Sequence, residues 1–322
     1  MRSLVVLAAA LGVVLDASTC ASSEDIYPSR TVKVVVSLPA GSSPDVRMRI
    51  VADELGRTWR QAVVVENRPG GGGIAGAQSV LSAPADGHSL LAAATSTFTI
   101  LPAQQPNLPF SPDQDLVPLG LISNEPMVLA VSSKLGIKSL AELLQRANAE
   151  PGALIIHTNP FGSLPHLTAK LLASLSHSRF TVVPSTGGTN DAIREILGGR
   201  AHAVIDGLPG LRPYIESGDL KPLAIMTGER LAILPDLPTA AETIPGLTAI
   251  GWVVVAAPRA VPPKVVKQLT GDLGRVLQMP SVQARFDKIG TPFRPIFGEE
   301  LARFVESERR LWEPVVKDTM KN

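Results

Sequence analysis

Residues 63–78 read VVVENRPGGGGIAGAQ. A strand-like run feeds four consecutive glycines and then a small-residue helix, and Gly71, Gly73 and Gly76 satisfy G-x-G-x-x-G. That spacing cradles a pyrophosphate only when the loop follows its strand directly and an acid for the ribose lies ~20 residues further on. Here Glu66-Asn67-Arg68-Pro69 separates strand from glycines, and residues 92–99, AAATSTFT, carry no acid. No Gly-Lys-Ser/Thr follows, so a P-loop fails as well. The stretch therefore reads as strand, loop and helix without a nucleotide. Its glycines let the backbone pass close to a neighbouring loop or a ligand cleft.

The same alternation extends in both directions. TVKVVVSLPA, residues 31–40, is a buried strand by its β-branched content, and it breaks at Pro39-Ala40-Gly41. A helix starts at Ser43-Pro44-Asp45, with proline in the first turn and an acid beside the positive helix end. Val46, Ile50, Val51 and Leu55 are expected to share its apolar face. HSLLAAATST, VPLGLI, MVLAVS, GALIIHTN, RFTVVPS, AHAVID, LKPLAIM and AIGWVVVAAP read as further strands. Helices lie between them: SLAELLQRANA with a Ser139-x-x-Glu142 capping box, TNDAIREILGG, and two amphipathic C-terminal segments. Strand–helix alternation at this length predicts an α/β protein with mostly parallel sheets. Ligands of such sheets bind beyond the carboxyl ends of the strands. The loops to search are residues 38–45, 94–99, 157–166, 184–190 and 206–209, rich in Ser, Thr, Gly and Pro and poor in charge. They offer hydroxyls, backbone N–H groups and helix N-termini, which is anion-binding equipment without a catalytic base.

Composition removes several alternatives. With 322 residues and 45% hydrophobic content, the chain has length for two lobes or so. A formal net charge of +1 leaves no basic footprint for nucleic acid, and 4% aromatics give no stacking platform. The histidines His88, His157, His166, His177 and His202 lack H-x-x-H spacing, so no metal site is expected. No G-x-S-x-G elbow is present; Phe161-Gly162-Ser163 lacks the second glycine. Asp45, Asp86 and Asp206 stand at strand ends or turns and read as caps or loop organisers. The residues favour a binder over an enzyme, and no cofactor is implied.

The N-terminus differs from the rest. MR supplies a positive start, SLVVLAAALGVVL an apolar run too short for a membrane span of ~20 residues, and DASTCA small residues. Residues 1–21 read as a secretory signal peptide cleaved after Ala21. Lipidation at Cys20, the sole cysteine, is disfavoured because Ala17-Ser18-Thr19 fits a lipoprotein signal poorly.

Taken in order, YPSRTVKVVVSLPAG, VVVENRPGGGG, APADGHSLL, KSLAELL, EILGGRAHAVIDGLP, GDLKPLAIMTGERLAILPDLPTAAE and GWVVVAAPRAVPP resemble the Bug family of extracytoplasmic solute receptors. These are the substrate-binding proteins of tripartite tricarboxylate transporters. The resemblance spans the mature chain and implies a two-lobed, Venus-flytrap periplasmic-binding-protein fold of type II-like plan, hinged on two crossover strands. Lobe one is expected at residues 27–125 plus 251–322, and lobe two at 126–250. The family holds a ligand carboxylate with backbone amides and hydroxyls from both lobes. By position these are Ala40, Gly41, Ser42, Ser43, Asp45, Ser96 and Thr97 in lobe one. In lobe two they are Thr158, Asn159, Gly162, Ser163, Thr186, Gly187, Gly188 and Asp206. Ser42 stands where the family has a second glycine, and Pro160, Phe161 and Leu164 make the second-lobe loop stiffer and more apolar than usual. The departures predict a ligand with one carboxylate and a less polar remainder, in place of citrate. The resemblance thus implies a periplasmic, monomeric receptor that captures a small carboxylate: an organic acid, an acidic amino acid or an aromatic acid. Its partners would be inner-membrane transporter subunits or, alternatively, a membrane sensor.

Overall fold

The computed structural model describes residues 27–185, 188–288 and 294–321. Four valines and one lysine make β1 (Val32–Val36), in which Lys33 is the exposed residue. Helix α1 (Ser43–Trp59) begins with Pro44 in its first turn and ends at Arg60, whose φ of 53° stops it. Its buried face holds Met48, Ile50, Val51 and Leu55, whereas Val46 is exposed. The expected face was therefore rotated by about one position at its start. There follow β2 (Val63–Asn67), α2 (Ile74–Leu81), β3 (Ser89–Ala94), a π-helical turn at Ser96–Ile100, and the short α3 (Leu101–Gln104) and α4 (Pro112–Asp115).

The next element is one of the two crossover strands that the resemblance implied, and it passes between sheets near residues 123–127, as the resemblance led us to expect. VPLGLI and MVLAVS are parts of one continuous 17-residue strand, β4 (Leu116–Ser132). Pro126 reads as a break in sequence, yet it pairs opposite Ile250 in an antiparallel ladder. Beyond β4 come α5 (Leu140–Ala149), β5 (Ile155–Thr158), α6 (Leu164–Ser176), β6 (Thr181–Pro184), α7 (Thr189–Leu197), β7 (Ala203–Gly207), α8 (Leu208–Glu216) and β8 (Leu220–Ile225). The chain closes with β9 (Ile250–Pro258), α9 (Pro263–Leu277), α10 (Pro280–Asp287) and α11 (Gly298–Thr319). At the start of α5 the Ser139 hydroxyl accepts from the Glu142 N–H at 3.2 Å, while the Glu142 carboxylate accepts from the Lys138 N–H at 2.6 Å. Half of the expected capping box forms, and the reciprocal bond falls one residue early.

Strands run in the order β2-β1-β3-β9-β4-β7-β5-β6, with β8 also on β4. The β1–β2, β1–β3, β5–β6 and β5–β7 pairs are parallel, but every pair involving β4 or β9 is antiparallel. The expectation of mostly parallel sheets is corrected here: a strand that leaves one sheet for another enters each against the direction of its neighbours. Residues 116–126 of β4 pair with β9, and residues 127–132 pair with β7 and β8. The fold is two-lobed, each lobe a sheet covered by helices.

Side chains alternate across β9 as a pleated sheet requires, whereas register shifts in β4 between Pro118 and Gly120 and between Leu121 and Ser123 send Leu119 and Leu121 to opposite faces. Leu119, Val253 and Val255 pack under α1 and α9, while Leu121, Trp252 and Val254 pack against α2 and Leu301 and Val305 of α11. Further along β4, Leu129 and Val131 join α5 and α6, and Val128 and Ala130 join α7 and α8. Trp312 and Val316, near the end of α11, belong to the cluster that contains α6. One helix thus lies against the cores of both sheets. No helix among the described residues is long and apolar enough to cross a membrane.

Where β4 passes beneath Phe297 and Leu273, only Gly120 fits: an added Cβ would lie 2.6 Å from the Phe297 ring and 2.9 Å from Leu273. Gly120→Ala is expected to destabilise the protein by about 1–3 kcal/mol through overpacking. Urea unfolding of the two proteins checks this; an unchanged midpoint would contradict the packing described.

Candidate functional site

A cleft of about 640 Å³ opens between the two sheets. Its walls come from the carboxyl ends of β1, β3, β5 and β7, where residues 37–39, 94–96, 159–165 and 206–207 lie. Ser123, Glu125 and Met127 of β4 and residues 251–253 of β9 form its floor, and residues 69–73 border it. This is the position that open α/β sheets reserve for ligands.

The PGGGG turn is wall, and its conformation explains its composition. Gly70, Gly71, Gly72 and Gly73 all have positive φ, from 56° to 136°. At Gly73 a Cβ would stand 2.5 Å from the Thr97 Oγ1. The Ser96 hydroxyl donates to the Gly72 carbonyl at 2.7 Å, tying this turn to the end of β3. Across the cleft, a Cβ at Gly162 would meet the Gln104 side chain at 2.3 Å, so loops from the two lobes touch there.

Asp206 organises the second-lobe wall. Its carboxylate accepts from the Gly207 N–H at 2.8 Å, from Asn159 Nδ2 at 3.1 Å and from the Thr189 hydroxyl at the start of α7. Burial pushes its pKa up, and these three donors only partly oppose the rise. Nearby, Ser163 caps α6, and the Gly162 N–H donates to His166 Nδ1 at 3.2 Å. Burial, with help from Lys170, lowers the His166 pKa to about 4, so the ring is neutral at pH 7 and serves as an acceptor. Phe161 packs on that ring, 4.8 Å between centroids. His166 thus ties the 159–165 loop to the first turn of α6.

The residues named from sequence divide into three groups. Ser96, Asn159, Gly162, Ser163 and Asp206 line the cleft. Ala40, Gly41, Ser42, Asp45, Thr97, Thr158 and Gly188 are not on its wall, although Pro39 and Pro44 are, and the Ser43 side chain lies outside the description. Thr186 and Gly187, like the signal-peptide reading and Cys20, lie outside the described residues. The polar groups of the 39–45 loop are largely turned on the loop itself. Ser42 donates to the Pro39 carbonyl at 2.7 Å, and the Asp45 carboxylate accepts from the Gly41 N–H and from Asn67 Nδ2, each at 2.8 Å, and from Arg49 Nε at 3.1 Å. Burial raises the Asp45 pKa, but these donors outweigh it and hold the group below the usual carboxylate range. Thr97 Oγ1 is buried behind Gly73 without a hydrogen-bond partner among the described residues.

Sequence reading missed Ser123 and Glu125. Their signal was present: Ser123-Asn124-Glu125 interrupts LISNEPMVLAV, a run that is apolar on both sides of it. A charge in such a run needs a reason.

The sequence profile of the tripartite tricarboxylate transporter family receptor matches residues 47–320. The chain belongs to that family. Protein BugT of Bordetella pertussis is 31% identical to this receptor over 317 residues, covering 97% of each chain. Among solved structures, Rpa4515 of R. palustris with adipate superposes with a TM-score of 0.79 at 30% identity, covering 92% of this chain and 98% of that one. MatC from Rhodopseudomonas palustris with bound malate gives 0.75 at 30% identity, covering 90% and 100%. The receptor thus has the periplasmic-binding-protein fold and the solute-binding family that its sequence resembled.

A titration test follows from Asp206. Its folded pKa exceeds its unfolded one, so its contribution to stability is present below the ordinary carboxylate value of about 4 and is lost as pH rises through the folded value. The unliganded Asp206→Asn receptor is therefore expected to gain stability relative to wild type as pH increases from about 4 to neutrality. Urea unfolding across that range reads this directly. Parallel stability profiles for the two proteins would refute it.

Proposed function

We propose that this receptor captures a small carboxylate between its lobes and delivers it to the membrane subunits of a tripartite tricarboxylate-type transporter. The observation that carries the reading is the cleft itself, at the carboxyl ends of four strands and walled by both lobes. Two similar structures carry adipate and malate. The Ser163 hydroxyl, the glycine backbone of residues 70–73 and the N-terminal turn of α6 are the equipment for the anion. Neutral donors of this kind hold an anion without burying an opposing charge and its desolvation cost. Residues 39–45 and 186–188 complete the site on this reading when the lobes close. Lobe one comprises residues 27–125 and 251–322, lobe two 126–250, with α11 as a strut between them. The protein is a periplasmic monomer exported by residues 1–21, and it binds without catalysing a reaction.

The experiment is a thermal-shift titration of chain beginning at about residue 24, unfolded and refolded to strip any ligand. The panel holds mono-, di- and tricarboxylates, amino acids and nucleotides. At a hundred times its dissociation constant, a bound acid adds about 2.7 kcal/mol. The expected result is a saturable rise in Tm with one class of small carboxylates and none with nucleotides. Failure of every acid to move Tm would overturn the reading.

A further inference from the structure

Among the described residues of the cleft wall none is Lys, Arg or His, so an anion bound there is held by neutral donors. Most side-chain donors of the wall are already engaged. The indole N–H of Trp252 donates to Glu308, and the Asn159 amide donates to Asp206. The hydroxyls of Ser37, Thr95 and Ser96 donate to the carbonyls of Ala92, Trp252 and Gly72. On the first-lobe wall this leaves the side-chain amides of Gln104 and Gln105, neither of which has a hydrogen-bond partner among the described residues.

Gln104 is placed against the opposite lobe. It ends α3 and is half-buried, with its amide so close to Gly162 that a Cβ added there would collide with it. Gly162 has a φ of 76° and immediately precedes Ser163, the N-cap of α6. The positive end of a 13-residue helix and a free side-chain amide from the other lobe therefore meet at one edge of the cleft. Independently, the floor carries a buried group that a polar ligand would satisfy: Ser123 is wholly buried, lines the cleft, and its hydroxyl has no partner among the described residues.

We propose that Gln104 is a ligand-contacting, specificity-determining residue: its side-chain amide donates to a ligand carboxylate seated at the N-terminus of α6, and so ties lobe one to lobe two as the cleft closes. This rests on the receptor reading above and names the first-lobe donor of that site. A neutral amide gives the carboxylate a charge-assisted bond without the desolvation cost of a buried cation. The helix end belongs to lobe two alone, whereas the amide comes from lobe one. The bond therefore exists only when both lobes surround the ligand, which is the differential affinity that closure needs.

The test is calorimetric titration of refolded wild type, Gln104→Leu, Gln104→Glu and Gln104→Lys with adipate, malate, L-glutamate and benzoate. For the acid that wild type binds most tightly, Gln104→Leu is expected to weaken binding about tenfold or more, Gln104→Glu to weaken it further by repulsion, and Gln104→Lys to restore it. That order follows charge, which a merely structural role does not produce. Urea midpoints establish which variants are folded. In the unsubstituted receptor the Gln104 side-chain amide protons are expected to shift downfield in NMR spectra on saturation with the same acid, so the contact is read even if a variant does not fold. Equal affinities of the folded variants, or an unmoved Gln104 amide, would overturn the assignment and leave the carboxylate receptor intact. Absence of binding by all four acids would overturn both.

Discussion

The antiparallel pairing of β4 with β9 is the constraint on which the rest of the molecule depends. Residues 116–126 run against residues 250–258, and the two strands leave the first sheet together. At the exit, the Met127 N–H donates to the Ala249 carbonyl at 3.1 Å and the Ala249 N–H to Met226 at 2.9 Å, so the ladder continues into the second sheet without a gap. Most apolar side chains of these strands are committed to one core or another, and a one-residue slip would invert them. Trp252 is held from both sides: its backbone N–H donates to the Thr95 hydroxyl at 2.8 Å, and its indole donates to Glu308 on α11 at 3.0 Å. Glu308 also accepts from Trp312 at 3.4 Å, so one buried carboxylate links the crossing strand to the part of α11 packed near α6.

That rigidity gives the cleft its chemistry. Ser123, Glu125 and Met127 are held by the crossing ladder, whereas the PGGGG turn and the 159–165 loop close over them from opposite lobes. A receptor built so presents a fixed charged floor and adaptable neutral edges. Ligand stabilises the closed arrangement only by its differential affinity for it. Asp206 costs stability in the unliganded state because its carboxylate is buried, a common trade between a stable scaffold and a working site.

Much of this was legible in the chain. The α/β class, the loops at strand ends and the family all follow from patterns spread over the whole sequence. The PGGGG turn was read as a close-passing wall of a cleft, with Glu66-Asn67-Arg68-Pro69 between it and its strand, and it does border the cleft. Other features were hidden for physical reasons. Pro126 disguised β4 as two strands, since a proline in an antiparallel ladder is tolerated where its missing N–H is not required. The parallel-sheet expectation failed because alternation of strand and helix says nothing about a strand shared by two sheets. In the 39–45 loop, the Asp45 carboxylate is held by Arg49 one turn along α1 and by Asn67, which is distant in sequence, so its part in holding the loop could not be read from the loop alone. Glu125 carries the reverse lesson: its place on the cleft floor appears only when the fold brings it beside Gly207.

The central claim is that ligand sits between the lobes on an unmoving crossing ladder. Hydrogen–deuterium exchange, with and without a saturating amount of the acid that binds most tightly, tests it most directly. The account predicts slowed exchange confined to residues 39–45, 69–73, 94–96, 159–165 and 186–188, with the amides of β4 and β9 slow in both states. Tight binding with protection elsewhere, or with loosening of β4 and β9, would contradict it.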